Sequence, residues 1–156
     1  MNEREFARRV RLMRDRLWRV SFSILRSTSD SEDAMQEALL RAWRNVDSLR
    51  DKSLFETWLT RILINECKRL IRKRCEGAEI PESLPAPEAE NAFLSEAIAS
   101  LKMDLRVPII LYYIEGYSVR ETASIMRITQ SSVKARLMRA RKKLKEAIEK
   151  EAVQDE

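Results

Sequence analysis

Seven cations and no acid lie between residues 134 and 145: Lys134, Arg136, Arg139, Arg141, Lys142, Lys143 and Lys145. A second row, Arg61, Asn65, Lys68 and Arg72, advances by i, i+4, i+7 and i+11, so a helix would carry it as one stripe. Rows of guanidinium and ammonium groups neutralise phosphates, and an amide among them can both donate and accept at a base edge. The chemistry on offer is nucleic-acid contact. A solvated, solubilising face is the alternative, but a net charge of +7 over residues 1–75 is a large local field and favours contact. Bond-making chemistry is poorly provided for. The 156 residues include no His, which removes the commonest general base and metal ligand. Gly77 and Gly116, the only glycines, cannot build a phosphate-cradling loop. The chain therefore reads as a binder without catalysis, cofactor, metal site or small-molecule substrate.

The elements that must position these rows follow from composition. So few turn-forming residues disfavour a sandwich or barrel and point to an all-α chain. Charge then divides it. Residues 76–90 hold five Glu and no base, together with Pro81, Pro85 and Pro87, between flanks of +7 and +3. That composition is a solvated linker. The expected organisation is two small helical domains, 1–75 and 91–150, joined by the acidic Pro-containing linker 76–90, with a flexible tail at 151–156. Cys67 and Cys75, about 12 Å apart on one helix, cannot pair and read as reduced thiols. The N-terminus lacks a signal-peptide pattern and no apolar run reaches a membrane span, so a cytoplasmic location is expected.

In the first half, Phe6, Val10, Met13, Leu17, Val20 and Ile24 recur at three- and four-residue steps, one apolar stripe on a helix of about 20 residues. The run of Arg on its other faces is compatible with simple solvation. The next segment, from Ser27, opens with cap-forming and acidic residues. Its apolar face is Ala34, Met35, Ala38, Leu39, Ala42, Trp43 and Val46. Opposite lie Asp33, Glu37, Leu40 and Arg44, flanked by Gln36 and Arg41. Leu40 in a polar stripe is either an ordinary exposed leucine or the centre of a protein-docking surface, and spacing does not choose. After the loop Asp47–Leu54, a third helix turns Phe55, Trp58, Leu59, Ile62, Glu66 and Leu70 to one side and the cationic stripe to the other.

The second half carries a helix-turn-helix. Ser118 and Glu121 form a capping box ahead of VRETASIM. A three-residue break, Arg127-Ile128-Thr129, precedes a helix capped by Thr129, with Val133, Leu137, Ala140 and Leu144 as its buried stripe. Arg127 stands where glycine is frequent, so a positive φ is expected there. Ser131, Ala135, Met138 and Lys142 then face outward, with Lys134 and Arg139 beside them. Small residues allow a deep approach to base edges, Arg139 can grip a guanine and Met138 a thymine methyl, while Lys134, Arg136, Lys142 and Lys143 suit phosphates. Upstream, Phe93, Leu94, Ala97, Ile98 and Leu101 mark an amphipathic helix. Pro108 is expected in a helix first turn and Gly116 at a helix C-terminus. Tyr112, Tyr113 and Tyr117 read as core and rim aromatics.

These segments resemble the sigma factors of bacterial RNA polymerase. Asp30–Trp43 is similar to their polymerase-binding helix, Phe55–Asn65 to the helix that meets the minus-ten promoter element, and Tyr112–Ser118 with Ser132–Arg141 to their minus-thirty-five reader. With two domains and a short linker, the extracytoplasmic-function group is nearest. The resemblance implies a promoter-specificity subunit whose partners are core polymerase, through its β′ and β subunits, promoter DNA, and an anti-sigma factor that in this family is often membrane-anchored. Asp33, Gln36, Glu37, Leu40 and Arg41 would dock on polymerase. Asp51, Lys52, Arg61, Asn65, Lys68 and Arg72 would hold the melted minus-ten strand with a flipped base. Ser131, Ser132, Lys134, Ala135, Arg136, Met138, Arg139 and Lys142 would read the minus-thirty-five duplex. The acidic linker would run toward the RNA channel. Lys102-Met103 replaces the family's usual Leu-Pro. The rival expectation is a polymerase-independent helix-turn-helix regulator, which leaves the stripes of the first half unexplained.

Overall fold

The computed structural model describes residues 1–76 and 92–154, which contain seven α-helices and no strand. The chain divides into two compact units, Met1–Ser83 and Leu84–Glu156. The expected linker lies outside the described residues, apart from Glu76 at the end of a helix.

The first unit is built from α1 (Glu3–Leu25), α2 (Thr28–Arg44) and α3 (Phe55–Glu76). The side chain of Asn2 accepts the Glu5 amide at 2.9 Å and Glu3 and Glu5 fill the first turn, so α1 starts where a donor-rich end meets an acceptor and negative charge. It stops at Arg26, whose N–H still reaches the Phe22 carbonyl and whose left-handed φ of 54° turns the chain out of the helix. Ser27 then accepts the Asp30 amide and opens α2. The stripe Phe6, Met13, Leu17, Val20 and Ile24 is buried, as are Leu59 and Leu63 of α3, and the Ala34, Ala38 and Ala42 line is wholly covered. Each fully buried leucine contributes about 1.5–3 kcal/mol. Phe6 closes one end of the core, its ring 5.1 Å from Trp43 and 5.7 Å from Phe55.

The buried side of α3 is rotated from the expected one. Leu63, Ile64 and Cys67 are buried with Phe55, Leu59 and Glu66, whereas Trp58, Ile62 and Leu70 are only half covered. α3 is apolar on several faces, and it is packing against α1 and α2 that selects the stripe. Trp58 and Ile62 therefore share a side with Asn65, at i, i+4 and i+7, instead of opposing it.

The second unit contains α4 (Ala92–Ser100), α5 (Met103–Ile109), α6 (Val119–Met126) and α7 (Gln130–Gln154). Of the α4 stripe, Ala97, Ile98 and Leu101 are buried while Phe93 and Leu94 are exposed. Pro108 is inside α5, not in its first turn. The helix begins earlier because the Lys102 carbonyl accepts the Arg106 amide at 2.8 Å, and Arg106 reaches back to the Leu101 carbonyl, also at 2.8 Å. Proline offers no N–H to the preceding turn, and the helix continues as one π-helical turn, Ile110–Ile114, closed by Glu115 N–H to Ile110 at 3.0 Å. Gly116, at φ +75°, ends it as expected. α7 runs to Gln154, so residues 151–154 of the expected tail are helical and only 155–156 lie outside the described residues. The alternating Lys and Glu of its last turns, at four-residue spacings such as Glu146–Lys150, support that extension.

Candidate nucleic-acid and protein interfaces

The helix-turn-helix is assembled from local bonds. Ser118 Oγ accepts the Glu121 amide at 3.0 Å, and the Glu121 carboxylate accepts the Ser118 amide at 3.1 Å, a complete capping box. α6 terminates at Arg127, φ 54° and ψ 46°, and the Ile128 amide bonds back to the Ala123 carbonyl at 3.1 Å. Thr129 Oγ1 accepts the Ser132 amide at 3.1 Å, which starts α7. The expected positive φ and the expected cap are both present.

On α7, Val133, Leu137 and Ala140 are buried and Leu144 is half-buried. Ser131, Lys134, Ala135, Met138, Arg139 and Lys142 are exposed, and Ser132 and Arg136 are half-buried. Met138, a large apolar side chain, is 61% exposed between cations. A single exposed apolar side chain is ordinary on a protein surface, so Met138 alone assigns no partner to this face. Arg136 lies toward the buried side, which suits a phosphate at the edge better than a base at the centre. One contact had no forecast: Arg141 Nη1 donates to the Tyr113 hydroxyl at 2.7 Å, tying α7 to the π-helical turn. The residues are 28 apart in sequence, so no periodicity announces them.

In the first unit, Asp33, Gln36, Leu40 and Arg41 are exposed and Glu37 is half-buried along one side of α2. Leu40 is 50% exposed. Arg41 Nε contacts Glu37 at 3.5 Å and, more closely, Glu66 of α3 at 2.7 Å. Glu66 is 3% exposed and its second oxygen accepts Arg69 Nε at 2.9 Å. Burying a carboxylate is costly unless cations and donors meet it, and two guanidinium groups do so here.

Between α2 and α3 opens a cleft of about 270 Å³ lined by Arg41, Asn45, Ser48, Trp58, Ile62, Asn65 and Glu66. This is below the roughly 300–1,000 Å³ of drug-sized sites. An indole, an aliphatic side chain, two amides, a hydroxyl, a guanidinium and a carboxylate surround it, a lining able to take one planar polar group. Of the expected minus-ten residues, Asn65 lines the cleft. Arg61 and Lys68 are half-buried and Arg72 is exposed on neighbouring turns of α3. Asp51 and Lys52 are held elsewhere. Asp51 caps a short 3-10 turn, Lys52–Leu54, by accepting the Ser53 hydroxyl at 2.6 Å and its amide at 3.0 Å, bonds that hold its carboxyl below the usual range. The Lys52 carbonyl accepts from Arg9 at 2.8 Å and its ammonium lies 3.6 Å from Glu5, so it is tied to the start of α1.

Cys67 is fully buried beside Glu66, and burial first, then the carboxylate charge, pushes its thiol up to about 12. Cys75 is exposed. Among the described residues no helix is long and apolar enough to cross a membrane, and no cluster of three acidic or sulfur ligands is formed.

Comparison with known proteins matches Sigma-70 region 2 to residues 9–75 and Sigma-70, region 4 to residues 94–144. The sequence is 36% identical over 138 residues to the ECF RNA polymerase sigma-E factor of Escherichia coli strain K12, covering 73% of this chain and 71% of that protein. It is 29% identical over 126 residues to the ECF RNA polymerase sigma factor SigM of Mycobacterium tuberculosis, covering 76% of this chain but 64% of SigM, so it spans under two thirds of that relative. Among solved structures, the sigma factor RpoE in complex with the anti-sigma factor NepR from Bartonella quintana superposes with a TM-score of 0.79 at 26% identity, covering 93% of this chain and 97% of RpoE. CnrH in complex with the cytosolic domain of CnrY gives 0.77 at 26% identity, over 95% and 90% of the two chains.

Proposed function

The chain belongs to the ECF sigma factors of RNA polymerase, and from that premise we propose that it binds core polymerase and directs promoter-specific initiation, without catalysis of its own. The observation that carries this reading is the joint presence, in one chain, of a region-2 helix set whose amide-lined cleft adjoins the cations of α3 and a region-4 helix-turn-helix whose exposed face is small, apolar and basic. A lone helix-turn-helix regulator has no use for the first of these.

In this reading Leu40 is the apolar centre of a polar-rimmed surface with Asp33, Gln36 and Glu37, and docks on the polymerase β′ subunit. The second unit meets the minus-thirty-five duplex through α7. Arg139 reads base edges, Met138 contacts a thymine methyl, and Ser131, Ser132 and Ala135 permit close approach. Lys134, Arg136 and Lys142 hold phosphates. Asn65, with Arg61, Lys68 and Arg72 along α3, holds the melted minus-ten strand, and the cleft receives an unstacked base. Extruding that base costs a few kcal/mol, which the contacts must offset. Asp51 and Lys52 act through the turn they shape at the start of α3. The acidic stretch 76–90 serves as the linker through polymerase.

RpoE is solved with the anti-sigma factor NepR and CnrH with the cytosolic domain of CnrY, which supports an anti-sigma partner and a cytoplasmic site of action. The test is transcription from a supercoiled random-promoter library with core polymerase, with and without the protein. Sequenced transcripts should share two spaced motifs. Absence of such transcripts, together with tight duplex binding by the protein alone, would replace this reading with the polymerase-independent regulator.

A further inference from the structure

Arg41 sits on the helix expected to face polymerase, yet its contacts point the other way. It lines the cleft with Ser48, Trp58 and Asn65, and its Nε rests on the buried Glu66 at 2.7 Å, closer than the 3.5 Å to Glu37 on the docking side. The Arg41 side chain is 52% exposed, the Glu66 side chain 5%. A carboxylate this deep offers little surface of its own to a macromolecule, although it forms part of the cleft wall, but it can hold a side chain that is more open. A guanidinium gripped through Nε keeps the donors of its two Nη groups for a second acceptor. Glu66 also holds Arg69 through its other oxygen, so neither oxygen is left to bond with water alone.

We infer that Glu66 is a positioning residue that holds Arg41 at the mouth of the cleft, where Arg41 grips a phosphodiester of the single strand whose base enters between Trp58 and Asn65. The inference rests on the sigma-factor reading and moves Arg41 from the polymerase contact to the DNA contact. The ligand chemistry is a phosphate, because a charged fork at the rim, above an apolar wall and an amide, meets backbone before base. The buried acid gives direction: without it, a half-exposed arginine samples many rotamers and forfeits part of each contact to ordering entropy.

The experiment uses holoenzyme reconstituted from core polymerase and the full chain, titrated against a fluorescein-labelled random-sequence single-stranded 12-mer at several salt concentrations, with core polymerase alone as baseline. Core affinity is measured separately. Arg41→Gln should weaken strand binding about tenfold and flatten the log–log salt slope by about 0.7, the value of one single-strand phosphate contact. Its core affinity should stay within about twofold of the parent. Glu66→Gln, nearly isosteric, should weaken strand binding several-fold while leaving the slope unchanged, and that loss should vanish in the Arg41→Gln background, as expected for residues acting as one unit. A merely structural role for Glu66 predicts losses that persist in that background. Weakened core binding by Arg41→Gln with an unchanged salt slope overturns the proposal, and this arm decides even where Glu66→Gln fails to fold, because Arg41 is at the surface. Asn65→Ala separates the levels. If it weakens strand binding and Arg41→Gln does not, only this inference fails; if neither does, the strand-contact reading of the cleft fails with it.

Discussion

Arg127 is one of two described non-glycine residues with a positive φ, and it occupies the turn on which the recognition helix pivots. Replacing it by glycine sets two effects against each other. The left-handed conformation crowds Cβ against the next carbonyl at a cost of about 1–2 kcal/mol, which glycine removes. Glycine also loosens the unfolded chain, at a cost of about 0.4–1 kcal/mol. The first is larger. Arg127 is exposed, and the backbone bonds of the turn, Ile128 N–H to Ala123 at 3.1 Å and Arg127 N–H to Ser124 at 3.4 Å, do not involve its side chain. Arg127→Gly should therefore stabilise the second unit by roughly 0.8 kcal/mol, or about 3–6 °C in Tm for a domain of this size. Lys143→Gly, inside α7 where φ is helical, should destabilise it by nearly as much, since glycine there sacrifices propensity with no relief of strain. Differential scanning calorimetry of the full chain measures both. Equal downward shifts would refute the assignment of strain to the turn.

Three further outcomes follow from the surfaces. Leu40→Asp should abolish or strongly weaken association with core polymerase in a sedimentation assay without lowering Tm, because half of the side chain is already in water; unchanged association would remove Leu40 from the docking surface. Arg139→Ala should cost about 1–3 kcal/mol at particular minus-thirty-five base pairs, whereas Lys142→Ala should weaken all duplexes alike and flatten the salt slope by about 0.9; equal, sequence-independent losses would displace the proposed register. At pH 8 iodoacetamide should modify Cys75 alone. The Cys67 thiol, pushed up to about 12 by burial and by Glu66, is neutral well below that pH and only the thiolate reacts, so its modification should require denaturant; two thiols reacting at one rate would contradict the buried position.

The parts of the fold legible in the chain are those fixed by near neighbours. The α1 stripe, the Ser118–Glu121 capping box, the Thr129 cap and the φ of Arg127 all depend on residues within a few positions of one another. The outward face of α7 was equally open, because Val133, Leu137 and Ala140 are the apolar positions at helical spacing. Legibility failed where tertiary partners choose. α3 is apolar over a broad arc outside its cationic stripe, so its buried side was set by α1 and α2, and Asn65 came to share the cleft wall with Trp58 and Ile62. Pro108 suggested a helix start because proline is tolerated there, but backbone bonds from Lys102 began the helix earlier. The link from Arg41 to Glu66 joins two helices, and nothing on α2 alone distinguishes an arginine that faces a partner from one that leans on its own core.

That link is one of a set, and the set says what the acids of a basic unit are for. Glu5 meets Arg9 and Lys52, Asp30 meets Arg74 with an Nε–O distance of 2.8 Å, Glu56 meets Arg16, and Glu66 meets Arg41 and Arg69. Residues 1–75 carry 18 cations against 11 acids, a density at which like charges repel within a small fold. Apart from those of the buried Glu66, these pairs lie at or near the surface and contribute little stability, about 0–1 kcal/mol each, so the buried leucines and alanines hold the helices together. What the acids do instead is hold selected cations in place. Several bind an arginine through part of its fork, which fixes the side chain while leaving donors to spare, and most join different helices or join a helix to a turn. The unit keeps its excess of cations all the same, because 18 cations face only 11 acids over residues 1–75. The modest net charge of +5 conceals the +7 of residues 1–75, which the five glutamates of residues 76–90 offset.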